Sequence, residues 1–562
     1  MRNRKFHFTV LMFALLFVLA ACTDDADVED DAQEDGAGEA EAQEEDIVIG
    51  MMREPVAVDP HGSNDIPSAQ VRTQIFDTLI HQNAEMDLEP GLAESWEQEE
   101  DDLWRFELKE GVTFHNGSDF TAEDVEATLD RMLDPTVAST AAFLFEVIED
   151  VEVVGDHELL MHTEYAFAPL LNHLAHNTSG ILSKEIIDED YESAIEAAEL
   201  DLSLEEFYEL REEGGDEFEE ASEAMSEHIG SVVSDNPDGT GHLKFESRDP
   251  GSEIVLEKFE DYHGGERNFG TVTYRVIPEN AARLAELETG GIMITEEVDA
   301  DNIDRVRDHE DTDVIDQDGL GMTYLAFHTE KEPFDDPNVR RAISSAIDRE
   351  SIIEGVLNDR GTHASSHISP AVNGHADSLD EIEYDMEQAR EYLAETEVAD
   401  GFDTTIWVSD SEETVNIAIY IQETLGELGI DAEIEQFEYG AFLDKAREGT
   451  HDMFILGWVS VTGDADYGLH PMFHTDSQDG SGNRWFYSNT ELDGLLDQAQ
   501  QSSDEGERET LYEEAQLILR EDLPVAPLYY AELGIGVNET LIEGVELDPV
   551  GIIRLENVSF PE

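Results

Sequence analysis

The period of the apolar residues changes repeatedly along the second half of the chain, and this alternation most narrows what it can fold into. Val339, Ala342, Ile343, Ala346 and Ile347 recur at i, i+3, i+4, i+7 and i+8, the inward face of a helix. Asp336 before Pro337 supplies its cap and its first helical residue. A second helix is expected over Val415–Leu428, where Gly429 stops it. The alternating stretch Ile430–Ile434 then reads as a strand, and the unbroken run Met453–Leu456 as a strand covered on both faces. Strands and helices in alternation bury each other in layers, so the expected fold class is α/β.

The first half uses the same devices. Ile47–Ile49 is a short strand, and Trp104, Phe106 and Leu108 alternate as one face of another. His115-Asn116-Gly117 marks a turn, and Thr121 with Asp124 three residues on forms a capping box. Val125, Thr128, Leu129 and Met132 follow on one helical face. From about 188 to 227 the chain is acidic and helix-favouring, broken at Gly214-Gly215, and is expected to be a solvated excursion on the surface. Strands resume at Leu243–Phe245, Ile254–Leu256 and Val272–Ile277.

Charge restricts the partners. Against 30 Lys and Arg stand 136 Asp and Glu, a formal net charge of -106 over 562 residues, where a small domain ordinarily carries about 2–8. Nucleic acid repels such a chain. Hydrophobic residues make up 40%, which argues against disorder. Only 7 of the 30 basic residues are lysine, a bias expected of proteins bathed in brine. At the N-terminus, Arg2, Arg4 and Lys5 precede the apolar run Phe8–Ala21, which is shorter than the ~20 residues of a spanning helix and reads as a signal peptide over 1–21. Leu19-Ala20-Ala21-Cys22 resembles a bacterial lipobox, which implies that Cys22, the single cysteine, is lipidated and anchors the mature chain. Residues 22–46 would be its acidic flexible tether.

No catalytic constellation emerges: there is no P-loop, no H-E-x-x-H and no G-x-S-x-G. The expectation is a non-enzyme with no cofactor. His470 and His474 stand i, i+4 but lack an acidic or cysteine ligand in a recognised spacing, so no metal ligand is assigned. Gly457–Asp479, GWVSVTGDADYGLHPMFHTDSQD, is the most informative stretch. A buried strand delivers Trp458, a Gly-, Thr- and Asp-rich loop follows, and Tyr467 comes next; rigid apolar walls with a few polar groups suit a small ligand. Trp407 is a second aromatic candidate that fits a core position equally well.

These blocks together resemble the family-5 (peptide, nickel, glutathione) solute-binding proteins of ABC importers. The similarity is carried by LAESWE…GVTFHNGSDFTAEDV, GTGHLKF, EDYHGGERNFGTVTYRVIPENAARLAELETGGI, YLAFHTEKEPFDDPNVRRAISSAIDRESII, YDMEQAREYLAE and NRWFYSNTELDGLLDQAQ. The resemblance implies a two-lobed periplasmic-binding-protein fold of type II with an extra domain in the first lobe. The first lobe would comprise 47–89, 180–279 and 531–562, the extra domain 90–179, and the second lobe 280–530, with crossover strands near Val272–Ile277 and Val525–Tyr529.

It also implies a monomeric receptor at the outer face of the cell membrane, which hands a short peptide to a permease and its ATPase subunits. Gly457–His474 is similar to the glutathione-binding branch. The acid that usually follows Gly-Trp and pairs with a peptide ammonium falls on Val461, so either Asp464 or Asp466 would take that contact. Arg484 would receive a carboxylate. The alternative within the architecture is a nickel or other metal-chelate receptor; a distant one is an extracellular hydrolase.

Overall fold

Two strands are far longer than the rest: Thr312–Phe327 with 16 residues and Val525–Asn538 with 14. They run antiparallel along each other, Thr312 opposite Asn538 and Ala326 opposite Val525, and so thread both halves of one 11-stranded sheet. The structure, a computed structural model, describes residues 45–265, 267–478 and 482–561. The expected signal peptide, Cys22 and nearly all of the tether lie outside the described residues, and Glu44–Glu562 forms one unit.

On one side of the long pair, Glu45–Met51 runs parallel to both Phe269–Val276 and Ile294–Thr295, and Glu253–Lys258 and Leu243–Asp249 complete this half. On the other side, Met453–Val459 pairs with Met322 and its neighbours, then with Asp403–Val408, which is parallel to Asp431–Gln436. The register slips between the halves. Asp318 faces Glu532 and Met322 faces Tyr530, so three residues of one strand oppose Ala531 alone. Such a bulge bends a strand. Gly319 stands there because a Cβ would lie 3.0 Å from the Ala531 carbonyl oxygen. The result is the two-lobed type II binding-protein fold, mixed α/β as expected.

The second lobe shows why its strands are apolar throughout. Ile406 and Val408 point into a core with Val339, Ile343, Ile417 and Ile421, while Trp407 between them points to the opposite core with Phe454 and Trp485. Residue alternation thus feeds helices on both faces. The helix Pro337–Ala346 is capped as expected, Asp336 accepting from the Asn338 N–H at 2.9 Å.

Residues 93–163 form a separate four-stranded sheet whose core holds Trp104, Phe106 and Leu108 beneath the helix Ala122–Leu133. Thr121 and Asp124 close the capping box.

Three expectations change. Val272–Ile277 does not cross between the halves; among the described residues it pairs only with Glu45–Met51 and Glu253–Lys258, and Thr312–Phe327 is the second crossing strand. The helix Asn280–Glu288 and the strand Ile294–Thr295 stay with the first half, since Leu284 and Leu287 pack with Val48 and Ile277. The boundary expected at 280 therefore moves toward the bulge. The acidic excursion is four helices, Lys184–Ala197, Leu204–Glu213, Asp216–Met225 and Ser231–Asp235, and they are not mere decoration. Tyr191, Phe207 and Phe218 turn inward and join the first lobe's core.

Candidate ligand-binding site

The segment after Trp458 is a tight turn followed by a helix, Ala465–Phe473, rather than one long loop. Gly463 makes the turn at φ +70, a conformation that favours glycine, and Met86 and Gln82 crowd the space a Cβ would need. Three parts of the chain meet here. Gln82 of the first lobe donates to the Thr462 carbonyl at 3.0 Å, and Asn172, beyond the extra domain's sheet, donates to the same oxygen at 3.1 Å. The Asn373 N–H in the second lobe reaches the Gly463 carbonyl at 2.8 Å.

Asp464 caps the helix, accepting from the Asp466 N–H at 2.9 Å. Both of its oxygens also lie 2.9 Å from Arg508 Nη2. This corrects the expectation that Asp464 could take a ligand ammonium: the carboxylate is buried and already neutralised. Nothing in the spacing of 464 and 508 announced that pair, because it is made between two separate helices.

Asp466 is different. It is buried, Oδ1 has no hydrogen-bond partner among the described residues, and Oδ2 lies 3.9 Å from His173 Nε2. Burial pushes its carboxyl up to about 6, with His173 pulling the other way. Burial likewise lowers the pKa of His173, against the pull of Asp466. His173 Nδ1 is 2.7 Å from the Leu144 carbonyl, which can only accept, so Nδ1 carries the proton.

Tyr467 is buried with its ring 5.6 Å from that of Trp458 and 6.1 Å from that of Phe143. Trp458 is held by its indole N–H, which donates to the Tyr467 carbonyl at 3.0 Å. Beside them lies a pocket of about 290 Å³, whose walls include Phe143, Tyr165, Phe167, His173, Asp466 and Tyr467. Asp466 and Tyr467 of the expected set line it together, and Trp458 backs it. His173, Phe143 and Tyr165 were missed; the aromatics of Tyr165-Ala-Phe167 just before Pro169 were the one available signal.

The other expected residues are elsewhere. Trp407 is a core residue, packed 5.0 Å from Phe437 and 5.8 Å from His451. Arg484 does not line the pocket. It is buried near Tyr324, Tyr439 and Arg447; burial lowers its pKa, and its Nε has no partner among the described residues.

His470 and His474 stack at 4.4 Å with planes 9° apart, and Asp497 approaches their Nε2 atoms at 3.9 and 3.3 Å. These three could reach one cation. The tautomer opposes it: His474 Nδ1 accepts from the Asp476 N–H at 3.1 Å, which leaves the proton on Nε2, facing Asp497. With its proton on Nε2, His474 offers no lone pair to an ion on the Asp497 side.

Comparison with known proteins places these features. The model of the bacterial extracellular solute-binding proteins, family 5 (middle) matches residues 87–480. The chain is 26% identical to the dipeptide-binding protein of Escherichia coli K12 over 84% of this chain and 86% of that one. It is 26% identical to the glutathione-binding protein GsiB of Shigella dysenteriae, covering 87% and 89%. Among solved structures, the periplasmic binding protein DppA from Helicobacter pylori, in complex with the peptide STSA, superimposes with a TM-score of 0.76 and 26% identity, covering 92% of this chain and 98% of that one.

Proposed function

The chain belongs to the family 5 bacterial extracellular solute-binding proteins, and on that premise we propose that it captures a short peptide outside the cytoplasm and delivers it to an ABC permease. The observation that carries this reading is the Asp466 carboxylate, whose Oδ1 lacks a hydrogen-bond partner among the described residues, buried beside the Tyr467 and Trp458 rings where both lobes meet residues beyond the extra domain's sheet. Asp466 would hold the ligand's ammonium and the rings its apolar surface. The relatives named for dipeptide and glutathione binding support a peptide-like ligand. Of the two, the pocket favours the less anionic, because Glu146, Glu164 and Asp466 line it with no Lys or Arg.

Calorimetry in molar salt tests this. Di- to pentapeptides should release or absorb heat with a single-site isotherm. Silence with all of them and with glutathione, alongside binding of a nickel–histidine chelate, would transfer the chain to the metal-chelate alternative. The anchor belongs to the same reading: Cys22 would carry lipid and hold the receptor at the outer face of a membrane bathed in brine. Labelled fatty acid should enter the native protein and not the Cys22→Ser variant.

A further inference from the structure

Six arginines are buried among the described residues, and five of them give their guanidinium N–H groups to acceptors of the chain. Arg131 meets two carboxylates, while Arg72, Arg283, Arg340 and Arg349 donate to backbone carbonyls. Arg484 is the exception. It is 5% exposed, yet its guanidinium has no acceptor among the described residues, and Nε is shut off from solvent. The titratable groups that act on it are Tyr324, Tyr439 and Arg447: a second cation faces it and no carboxylate does, in a chain with 136 Asp and Glu. Two more donors without partners are buried next to it, the Tyr324 hydroxyl and the Trp485 indole N–H, on rings packed edge to face at 5.4 Å.

A buried cation without a counter-charge is costly, and so are N–H and O–H groups without acceptors. One anion answers both. The surroundings select a compact one: Phe473 and Phe454 pack the Trp485 ring at 5.4 and 6.5 Å, and a small monovalent ion sheds its water among such rings at less cost than a multiply charged oxyanion. A protein bathed in brine meets halide at molar concentration, where mass action fills even a weak site.

We propose that Arg484, Tyr324 Oη and Trp485 Nε1 form a halide site that neutralises the guanidinium inside the second lobe, with chloride as its occupant in brine. Arg484 does not line the pocket beside Asp466, so the site is separate from it and the inference does not depend on the peptide-receptor reading.

The test uses the full mature chain, ¹⁵N-labelled at arginine and tryptophan, in molar potassium sulfate, which supplies ionic strength without halide. The Arg484 Nε–H signal is assigned by its loss in Arg484→Met and the Trp485 indole signal by its loss in Trp485→Phe. Potassium bromide should shift both along one saturable curve, and potassium acetate should act more weakly. No bromide shift, a shift that grows without saturating, or an acetate curve tighter than that of bromide would overturn the proposal. In Arg484→Met the indole signal should stop responding; a persisting saturable shift overturns it as well. Tyr324→Phe keeps the ring, removes one donor and should weaken bromide at least about threefold; parent-like affinity there counts against the proposal in the same way. Thermal midpoints give a readout that mere packing would not move. When chloride replaces sulfate at equal ionic strength, general salt effects act on the parent and on Arg484→Met alike, so the parent's midpoint should rise relative to the variant's. Equal movement in both would leave Arg484 a packing residue and overturn the site.

Discussion

Asp464 and Asp466 are two residues apart, both buried, and chemically opposite. One is consumed by Arg508, which lies 2.9 Å from both oxygens, and the other keeps an open oxygen with its carboxyl at about 6. Two pH effects of opposite sign follow for Asp466. Its folded pKa lies above the ordinary carboxylate value, so the unliganded fold loses stability as pH rises from about 4 to about 6. Binding of an amine needs the ionised form, so affinity should be flat above about 7 and fall roughly tenfold per unit below about 6. Burial sets this titration; His173, Gln500 and Arg508 pull it down and Asp464 pushes it up. Titration calorimetry across that range should show the slope in the parent and its absence in Asp466→Asn; an unchanged slope in the variant would assign it to another group. Gly463 is the second sensitive residue. At φ +70, with Met86 Cε 3.0 Å from the added carbon, Gly463→Ala should cost about 1–2 kcal/mol, read as a lower denaturant midpoint at constant slope.

At the scale of elements, what was legible had local causes. The cap at Asp336, the capping box at Thr121 and the strand Met453–Leu456 covered on both faces are written within a few residues, and each is found where its spacing places it. What was not legible depends on distant chain. The crossing role of Thr312–Phe327 comes from its length and partners, and the Asp464–Arg508 and Asp466–His173 pairs join separate elements. Arg131 illustrates the same point. From the helix Ala122–Leu133 it reaches Asp59 at 2.7 Å and Asp190 at 3.0 Å, pinning the extra domain to the first lobe and to the acidic helices. Burial opposes charge on both acids, yet the net direction is downward for Asp59 and upward for Asp190; Asp59 takes the greater share of the guanidinium, with a bond from each Nη. Arg131→Met strands two buried carboxylates and should destabilise by about 3–5 kcal/mol. Adding Asp59→Asn and Asp190→Asn, which remove the charges but keep acceptors for the His61, Gly230 and Val232 N–H groups, should recover part of that loss in chemical denaturation, and no recovery would mean the arginine's packing, not its charge, matters.

For the whole molecule, the charge of -106 and the lobe contacts at the site obey different physics. The bonds that bring Gln82, Asn172 and Asn373 to the Thr462–Gly463 turn are amide to carbonyl, with no formal charge on either side. Salt leaves such bonds nearly untouched, whereas repulsion among exposed carboxylates reaches about 10 Å at 0.1 M and only about 3 Å at 1 M. The buried pairs of Arg131 and Arg508 are also screened weakly, because solvent ions do not reach them. Salt should therefore act on the fold as a whole and hardly on the pocket. Raising potassium chloride from below 0.1 M to molar concentration should raise the thermal midpoint and restore compactness by circular dichroism and scattering. Over the range where the protein is fully folded, affinity for an amine-bearing ligand should change much less than stability. Equal midpoints in dilute and concentrated salt would contradict the brine reading of the charge. An affinity that fell steeply with salt across the folded range would place the ligand's ammonium among the exposed carboxylates rather than beside Asp466.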